Sequence, residues 1–447
     1  MPTTDHELLQ SLYRTAIEAA DPGRALLRAL DEAAPSPGRI WIIALGKAAH
    51  PLARAAVDWL RGQALEPAGG IIVAPEADAS PHPALLTAAG DHPVPGDRSI
   101  EAADALENVV RQVVPSDEVW ILLSGGTSSL IASPVRGVSM GDLQATYQLV
   151  LGSGLDIADM NRIRKRISRW SGGRLAAVLA HAKVRLFVLS DVIGDDITSI
   201  GSGPCSPDPS TAVHIRALLD ETGLLSRVPP AIVDLLDRTE RGMVPETPKP
   251  GDPVFRDVTA VVIGSNRVAL QAAAAAAENA GLRVRLRRRP IRGDAAAMGA
   301  RLARRIRNDM MAAAGQGAAY DEPETWCYLC GGETTVTIDE DSGKGGRCQE
   351  LALAAAQILA EYNGEVTLLA AGTDGRDGPT DAAGAVVDGA TWAAIARRGL
   401  DPAGHLAEHD AWPALDAVDA LVRSGPTRTN VMDVVIAIAR PQTQEPS

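Results

Sequence analysis

Short runs of consecutive apolar residues recur along the chain, and most of them end in a loop of glycine, hydroxyl and charged residues. Clear examples are the runs 39–45, 70–74, 119–123, 184–189 and 258–263. Apolar runs of this length, bounded by turn residues, are typical of strands buried on both faces of a sheet. Helical segments separate the runs, and an alternation of strands and helices favours a parallel sheet. The pattern therefore predicts an α/β fold.

A segment rich in proline and charged residues interrupts this alternation. Four prolines fall within Pro245–Pro253, and such a composition is typical of a linker. We therefore predict two α/β domains with mostly parallel sheets, at residues 1–240 and 258–447, joined by a linker at residues 241–257. The chain length of 447 residues is sufficient for two or three domains.

The loop Ser124–Ser129, with the sequence Ser-Gly-Gly-Thr-Ser-Ser, directly follows the apolar run 119–123. Small residues let backbone N–H groups approach an anion closely, and hydroxyl groups add hydrogen-bond donors. Lys47 lies where another predicted strand meets the N-terminus of a helix, a position suited to phosphate or carboxylate. A solvated surface lysine is the alternative. Ligands of open parallel sheets bind outside the carboxyl ends of the strands, so we expect an anion site at these loops.

Three carboxylates follow the predicted strand 184–189, at Asp191, Asp195 and Asp196. Such a group suits Mg²⁺ binding or general-base catalysis. Aspartates also cap loops through their own backbone, and the sequence alone favours neither interpretation.

A basic cluster lies in the predicted helix 156–168. Asn161, Arg164 and Lys165 share one side of this helix by their spacing, whereas Arg166 is turned away. The cluster is either a solvated helix face or a surface that faces an anionic substrate.

The composition excludes several classes of function. The net charge is −13, so the protein lacks the overall basic field that holds nucleic acid or anionic lipid. Local loops can still bind anionic small molecules. The chain has no run of 18 apolar residues and its first residues lack a signal-peptide pattern. We therefore expect a cytoplasmic protein without a nucleic-acid or membrane partner.

Two short patterns resemble zinc motifs. Cys327 and Cys330 have the CxxC spacing, and His405–His409 match HxxEH. No second CxxC and no nearby histidine pair completes a zinc set around the cysteines, and five-residue motifs arise by chance. We expect these residues to be structural or at the surface.

The common nucleotide and nucleophile motifs are missing. The chain has no GxxxxGK[ST], no GxGxxG after a predicted strand and no GxSxG. Nothing marks a covalent nucleophile, whereas amide-rich loops with basic residues suit phosphoryl transfer. The residues alone favour a phosphate-handling enzyme. A nucleotide-linked reductase, a sugar-acid dehydratase and a non-catalytic ligand sensor are the alternatives.

Ordered motifs along nearly the whole chain resemble the glycerate 2-kinase family of the MOFRL type. They comprise Gly46–Ala49, His92–Pro95, Leu123–Gly126, Asn161–Lys165, Gly172–Ala176, Ser190–Asp191, Ser202–Pro204, Gly264–Asn266, Gly331–Val336, Gly346–Arg347, Gln349–Ala352, Gly372–Gly375, Gly378–Asp381, Gly425–Thr427 and Thr429–Val431. The family is described as two α/β domains with Rossmann-like sheets, and the resemblance places a MOFRL-type region at about residues 325–440. It implies an active site in the cleft between the domains.

The resemblance implies ATP-dependent phosphorylation of D-glycerate to 2-phosphoglycerate with Mg²⁺, by a monomer or homodimer. The implied catalytic residues are Lys47, Arg347 and Asp191, with Asp191 also an implied Mg²⁺ ligand. The implied nucleotide-binding residues are Ser124, Gly125, Gly126, Thr127, Ser128, Gly264 and Asn266. The implied substrate-binding residues are Lys47, Arg164, Glu333, Arg347 and Asp374.

This sequence departs from the family pattern at three places. They are Thr127–Ser129 after the double glycine, Cys348 after the arginine and Arg428 near the C-terminus. A kinase of a related hydroxy acid is therefore an alternative. Some relatives carry the name hydroxypyruvate reductase, and the missing GxGxxG argues against that activity here.

Overall fold

The computed structural model describes residues 4–32, 38–315, 324–338 and 342–441. Its contacts divide the chain into two units. The central unit comprises Pro22–Ile263, and the terminal unit comprises Met1–Asp21 together with Gly264–Ser447. The N-terminal helix α1 (Asp5–Ala19) thus belongs with the C-terminal half of the chain.

A six-stranded sheet forms the centre of the central unit. Its strands are β1 (Ile40–Leu45), β2 (Gly69–Ala74), β3 (Leu85–Ala89), β4 (Glu118–Leu123), β5 (Lys183–Leu189) and β6 (Val258–Gly264), in the order β3-β2-β1-β4-β5-β6. The pairs β3–β2, β2–β1, β1–β4 and β4–β5 are parallel. Every residue of β1, β2 and β4 is buried, as expected for strands covered by helices on both faces. The predicted parallel sheet is confirmed here.

Helices of the central unit follow the strands or form a separate helical layer. They are α2 (Pro22–Asp31), α3 (Ala49–Gly62), α4 (Asp97–Val110), α5 (Thr127–Leu130), α6 (Met140–Leu151), α7 (Ile157–Ile167), α8 (Arg174–Val178), α9 (Ala212–Glu221) and α10 (Pro230–Glu240). Side chains from α6, α7, α9 and α10 form an apolar cluster of their own. This layer buries the helix on which the sequence places the basic cluster.

The terminal unit has a mixed sheet. Its strands are β7 (Arg283–Leu286), β8 (Ile291–Asp294), β9 (Trp326–Thr335), β10 (Glu365–Gly372), β11 (Gly384–Asp388), β12 (Leu421–Val422) and β13 (Asp433–Arg440). The order is β12-β11-β10-β13-β9-β7, and β8 also pairs with β9. Only β7 and β8 run parallel to β9, whereas the other described pairs are antiparallel. The prediction of a mostly parallel second sheet was therefore wrong.

Short connections explain the antiparallel pairing. Residues 373–383 join β10 to β11 without a helix, and a parallel neighbour would need a crossover of a dozen or more residues. The remaining helices are α11 (Asn266–Asn279), α12 (Ala295–Gly315), α13 (Arg347–Leu359), α14 (Thr391–Arg397), α15 (Pro402–Ala407) and α16 (Ala411–Asp416). Apolar side chains of α12 and α13 pack on the sheet and form the core of this unit.

The units are bounded differently from the predicted domains. The Arg440 guanidinium donates to the Asp5 carboxylate, and the Tyr13 hydroxyl donates to the Gly372 carbonyl at 2.6 Å. These contacts hold α1 to the terminal unit. The expected linker 241–257 lies inside the central unit, because Glu246 pairs there with the buried Arg166. Contacts between residues far apart in sequence decide both boundaries.

None of the helices in the described ranges is long and apolar enough to cross a lipid bilayer.

Candidate functional site

Three adjacent parallel strands of the central unit deliver the predicted phosphate loop and its neighbours to one edge of the sheet. Lys47 follows β1, the loop Ser124–Ser128 follows β4, and Asp191 follows β5. The Lys47 amide donates to the Gly125 carbonyl at 2.9 Å, and Ser124 Oγ accepts from the Ala48 amide at 3.0 Å. We call these residues, together with His92, the glycine-loop site.

Both glycines of the loop are needed, because neighbouring side chains approach the loop backbone closely and the backbone of Gly126 is left-handed. A Cβ atom on Gly125 would lie 1.7 Å from Asp191 Oδ2, so the carboxylate rests directly against the loop backbone. Gly126 has φ +87°, a left-handed conformation that favours glycine. A Cβ there would lie 3.3 Å from both His92 Cδ2 and Lys47 Cγ. The loop is therefore flanked by a carboxylate, an imidazole and an ammonium stem.

The loop offers backbone donors more than hydroxyls. Thr127 Oγ1 donates to the Ser124 carbonyl at 2.8 Å, Ser128 Oγ hydrogen-bonds Ser202 Oγ at 2.8 Å, and Ser124 Oγ donates to the Leu45 carbonyl at 3.2 Å. By contrast, the N–H groups of residues 125–128 donate to no acceptor within the described ranges. Successive free N–H groups in a glycine-rich turn form an anion-binding concavity.

The titratable groups around the loop differ in charge and in exposure to solvent. Lys47 is exposed and forms no direct ion pair in the part of the chain that the structure describes. Burial raises the pKa of Asp191, while the Lys47 charge opposes that shift. Burial and the Lys47 charge both lower the pKa of His92 below 6.5, so its imidazole is neutral at pH 7. The site therefore presents one cation beside one shielded carboxylate.

His92 was missed as a site residue. It belongs to the His92–Pro95 motif that carried the resemblance, but the sequence gives no sign that this turn reaches Gly126. Of the three predicted carboxylates, only Asp191 lies against the loop. Asp196 instead accepts from the Ser199 hydroxyl at 2.7 Å and the Thr198 amide at 3.0 Å, which is the loop-capping alternative.

The basic cluster of α7 is largely internal. Lys165 is buried, and its pKa is lowered by burial against the charges of Asp208 and Asp196. Arg166, which we expected to point away, is 1% exposed and pairs with Glu246. The Arg164 guanidinium lies 4.9 Å from the centre of the Tyr147 ring. Packing within the helical layer accounts for these contacts, and substrate binding by Arg164 stays a prediction.

Arg347 is held by carboxylates of the terminal unit. Its Nε and Nη2 donate to Asp433 at 2.6 and 2.9 Å, and its Nη1 donates to Glu333 at 2.7 Å. Burial alone would lower the pKa of Arg347, but the hydrogen bonds and charge of Asp433 raise it above its ordinary value. Asp433 is 2% exposed, and burial raises its pKa against the opposing effect of Arg347. Arg347 is thus a paired, positioned cation.

A second buried carboxylate fixes the start of the Arg347 helix. Asp377 accepts from the Cys348 and Gln349 amides at 3.0 and 2.8 Å, and so caps α13. Burial raises its pKa to about 6. Asp374 is half-buried, and its charge contributes to the raised pKa of Asp433. We call Arg347, Glu333, Asp374, Asp377 and Asp433 the arginine–carboxylate cluster.

Sequence reasoning found Arg347, Glu333 and Asp374 in this cluster and missed Asp377 and Asp433. The available signal for Asp433 was an acidic residue at the start of an otherwise apolar strand, because a charge in such a place needs a partner.

Both N–H groups of the Asn266 side-chain amide are already engaged in hydrogen bonds to the backbone. Its Nδ2 donates to the carbonyls of Val431 and Asp433, both at 2.9 Å. A Cβ on Gly331 would lie 2.2 Å from Asn266 Oδ1, so the strand passes close to the amide. Gly264 is buried at the end of β6. The predicted nucleotide-binding residues are thus divided between two units, and the role of Gly264 and Asn266 in that set stays a prediction.

Comparison with known proteins identifies the family of this chain. Residues 8–237 match the family described as a domain of unknown function, DUF4147, and residues 326–433 match the MOFRL family. The chain is 35% identical over 437 residues to the glycerate 2-kinase of Pyrococcus horikoshii, with 96% of each chain covered. This chain belongs to the glycerate kinase family. The resemblance inferred from the sequence motifs is confirmed.

A crystal structure of the glycerate kinase from Thermotoga maritima shares the fold of this member of the glycerate kinase family. The TM-score is 0.85 at 34% identity, covering 97% of this chain and 98% of that chain. The predicted two-domain α/β fold is thus confirmed. A relative from Agrobacterium vitis, 35% identical over 433 residues and covering 96% of this chain and 93% of its own, is provisionally named hydroxypyruvate reductase.

The oxygen groups that this family member offers could hold Mg²⁺ only if a bound ligand supplied further oxygens. No group of three histidine, cysteine or acidic side chains within the described ranges is arranged to hold a metal ion. Mg²⁺ in kinases is commonly held by one or two carboxylates plus substrate phosphates and water. Asp191, beside the free amides, supplies one such carboxylate.

The residues of the two zinc-like patterns make other contacts. His405 and His409 contact Asp410 and Glu350 at 2.9 and 2.8 Å. Burial raises the pKa of Cys327 and that of Cys330 to about 12.

Proposed function

We propose that this protein transfers the γ-phosphoryl group of ATP to the 2-hydroxyl of D-glycerate, giving ADP and 2-phosphoglycerate. The observation that carries the proposal is the glycine-loop site in a chain of the glycerate kinase family. In this site, four consecutive backbone N–H groups lie beside Lys47, and none of them donates to an acceptor within the described ranges. Phosphoryl transfer requires positioning and electrostatic stabilisation more than covalent chemistry. This inventory of amides, one cation and one carboxylate meets that requirement.

In the reaction, the glycerate oxygen forms a bond to the γ-phosphorus while the bond from that phosphorus to the ADP oxygen breaks. The loop amides of residues 125–128 hold phosphate oxygens. Lys47 neutralises charge that develops on the transferred group. The hydroxyl proton passes to a carboxylate, for which Asp191 and Asp374 are the candidates. The raised pKa of Asp191 favours proton acceptance by this side chain.

Mg²⁺, when bound with ATP, would neutralise phosphate charge and orient the leaving group. Asp191 is the described carboxylate beside the loop that could hold it through one oxygen. Proton acceptance and direct metal binding compete for the same carboxylate. If Asp191→Asn raises the Mg²⁺ concentration needed for half-maximal activity, that result would favour metal binding, whereas a lower kcat at saturating Mg²⁺ would favour the base role.

Arg347 has a different role in this proposal from Lys47. Three of its five N–H groups are used by Asp433 and Glu333, which leaves two for an anionic ligand. We assign it to orienting the substrate, with Asp433 as its positioning residue. Glu333 and Asp374 can accept hydrogen bonds from the glycerate hydroxyls.

A coupled assay for ADP release with D-glycerate tests the proposal, and NMR of the product tests the carbon that is phosphorylated. We expect ADP release that depends on D-glycerate and yields 2-phosphoglycerate. Formation of 3-phosphoglycerate, or NAD(P)H oxidation with hydroxypyruvate at a comparable rate, would contradict it. Binding of D-glycerate and ATP without turnover would instead favour the ligand-sensor alternative.

A further inference from the structure

A cavity of about 620 Å³ lies in the terminal unit between α12 and the sheet strands β7, β9 and β13. None of the residues assigned to the proposed reaction lines it. Apolar side chains contribute much of its wall, namely Leu302, Ile306, Leu329, Val435 and Ala437. Arginine side chains also line it, namely Arg285, Arg287, Arg288, Arg289, Arg301 and Arg305. We call it the arginine cavity.

Among the residues that the structure describes, the arginines lining this cavity outnumber the carboxylates. The lining includes one carboxylate, Asp309, which already accepts from Arg285 at 2.6 Å and from the Tyr328 hydroxyl at 3.2 Å. Arg288 and Arg289 form no ion pair in the described ranges. Six guanidinium groups gathered around one carboxylate repel one another in a protein whose net charge is −13. An anion in the cavity would relieve that repulsion.

A simpler explanation is that arginines protect the sheet edge at β7 from pairing with another chain. That explanation accounts for Arg283 and Arg285 on the strand itself. It does not account for Arg288, Arg289 and Arg301, which lie outside β7 and surround an apolar hollow. Cavities of 300–1,000 Å³ with apolar walls and a few convergent polar groups are typical of small-molecule sites.

We propose that the arginine cavity binds an organic polyphosphate, with the apolar body of the ligand against the wall and its phosphates on the guanidinium groups. Guanidinium groups bind phosphate oxygens in a bidentate manner. A ligand with a single carboxylate would leave most of the cationic charge unneutralised. Several negative charges on one ligand therefore match the cavity better than a fatty acid does.

Equilibrium titration with N-methylanthraniloyl-ATP as the fluorescent probe tests this proposal. The test variant is Arg288→Ser/Arg289→Ser, and the matched control is Arg397→Ser/Arg398→Ser, an adjacent exposed pair that does not line the cavity. We expect wild type and control to bind two probes per chain. We expect the test variant to lose one site or to bind there at least tenfold more weakly, because each lost charge-assisted contact costs about tenfold.

The outcomes separate this proposal from the proposed kinase activity. Unchanged probe binding in the test variant, or an equal loss in the control, would overturn the arginine-cavity proposal. One probe bound by wild type and none by the test variant would support the cavity while contradicting phosphate binding at the glycine loop. Lys47→Met should retain the cavity site, so loss of turnover in that variant does not bear on the cavity.

Discussion

Replacement of Lys47 by methionine is the most direct test of the glycine-loop site. Methionine keeps most of the stem that passes Gly126 and removes only the charge. Lys47 is exposed and makes no direct ion pair among the described residues, so the change should alter the free energy of unfolding by about 0.5 kcal/mol or less. A loss of activity in Lys47→Met can therefore be attributed to chemistry.

The expected kinetic effect is large. Removing one electrostatic donor that acts in the transition state typically costs about 10²–10³ in kcat, roughly 3–4 kcal/mol. We expect that loss with a much smaller change in KM. Steady-state assays of ADP release measure both parameters, and urea denaturation checks the fold. Arg54→Met removes an exposed cation from α3, the helix that follows Lys47, and should leave kcat unchanged.

A second readout follows from the effect of Lys47 on Asp191. The Lys47 charge opposes the upward shift that burial imposes on the pKa of Asp191. Its removal should therefore raise that pKa further and move the acidic limb of the kcat/KM profile to higher pH. If Lys47→Met keeps near-normal kcat and the same pH profile as wild type, Lys47 is an ordinary surface cation, and the proposed phosphate site is wrong.

Three further predictions concern the cluster and the loop. Arg347→Met should destabilise the protein by about 3–5 kcal/mol in urea denaturation, because the buried Asp433 loses its partner, and Arg347→Met/Asp433→Leu should recover much of that loss. If the double variant is no more stable than the single one, the pair is not the cause. Asp377 has a pKa of about 6, above its ordinary value of 3.8, so the folded state binds more protons between these values. Stability should fall as pH rises from 3.8 through 6, and Asp377→Asn should flatten that slope in thermal melts; an unchanged slope would contradict the assignment. Gly125→Ala should raise KM for ATP and lower kcat, since its Cβ would clash with the adjacent carboxylate. By contrast, Gly141→Ala on α6 should match wild type in the same assay, because its Cβ would only make an ordinary van der Waals contact with Ser139 Oγ at 3.8 Å.

Much of the central unit was predictable because its strands are continuous apolar runs, and such runs can be recognised in the sequence alone. The glycine loop and Lys47 were predictable for the same reason, since each directly follows a strand. The approach of His92, which follows β3, and of Asp191, which follows β5, to the loop depends on the strand order β3-β2-β1-β4-β5. That order is set by packing between segments far apart in sequence, so periodicity does not reveal it.

The terminal unit was harder because its sheet is mixed. A buried antiparallel strand and a buried parallel strand have the same apolar pattern, and only the length of the connection separates them. Helix α1 was assigned to the wrong neighbours for a related reason. Its amphipathic face shows that it packs on something, but the hydrogen bond from Tyr13 to Gly372 joins residues 359 positions apart.

Lys47 and Arg347 differ in their surroundings, and residue type and loop composition do not reveal that difference. Both are basic residues preceded by glycine, and the sequence suggests the same use for both. In the structure Lys47 is an exposed cation beside free amides, whereas Arg347 is tied to Asp433, 86 residues away. The unpaired ammonium is available to a phosphate at little desolvation cost, but the paired guanidinium must share its donors with carboxylates. Under the proposed function, we therefore assign stabilisation of transition-state charge to Lys47 and orientation of a small anion to Arg347.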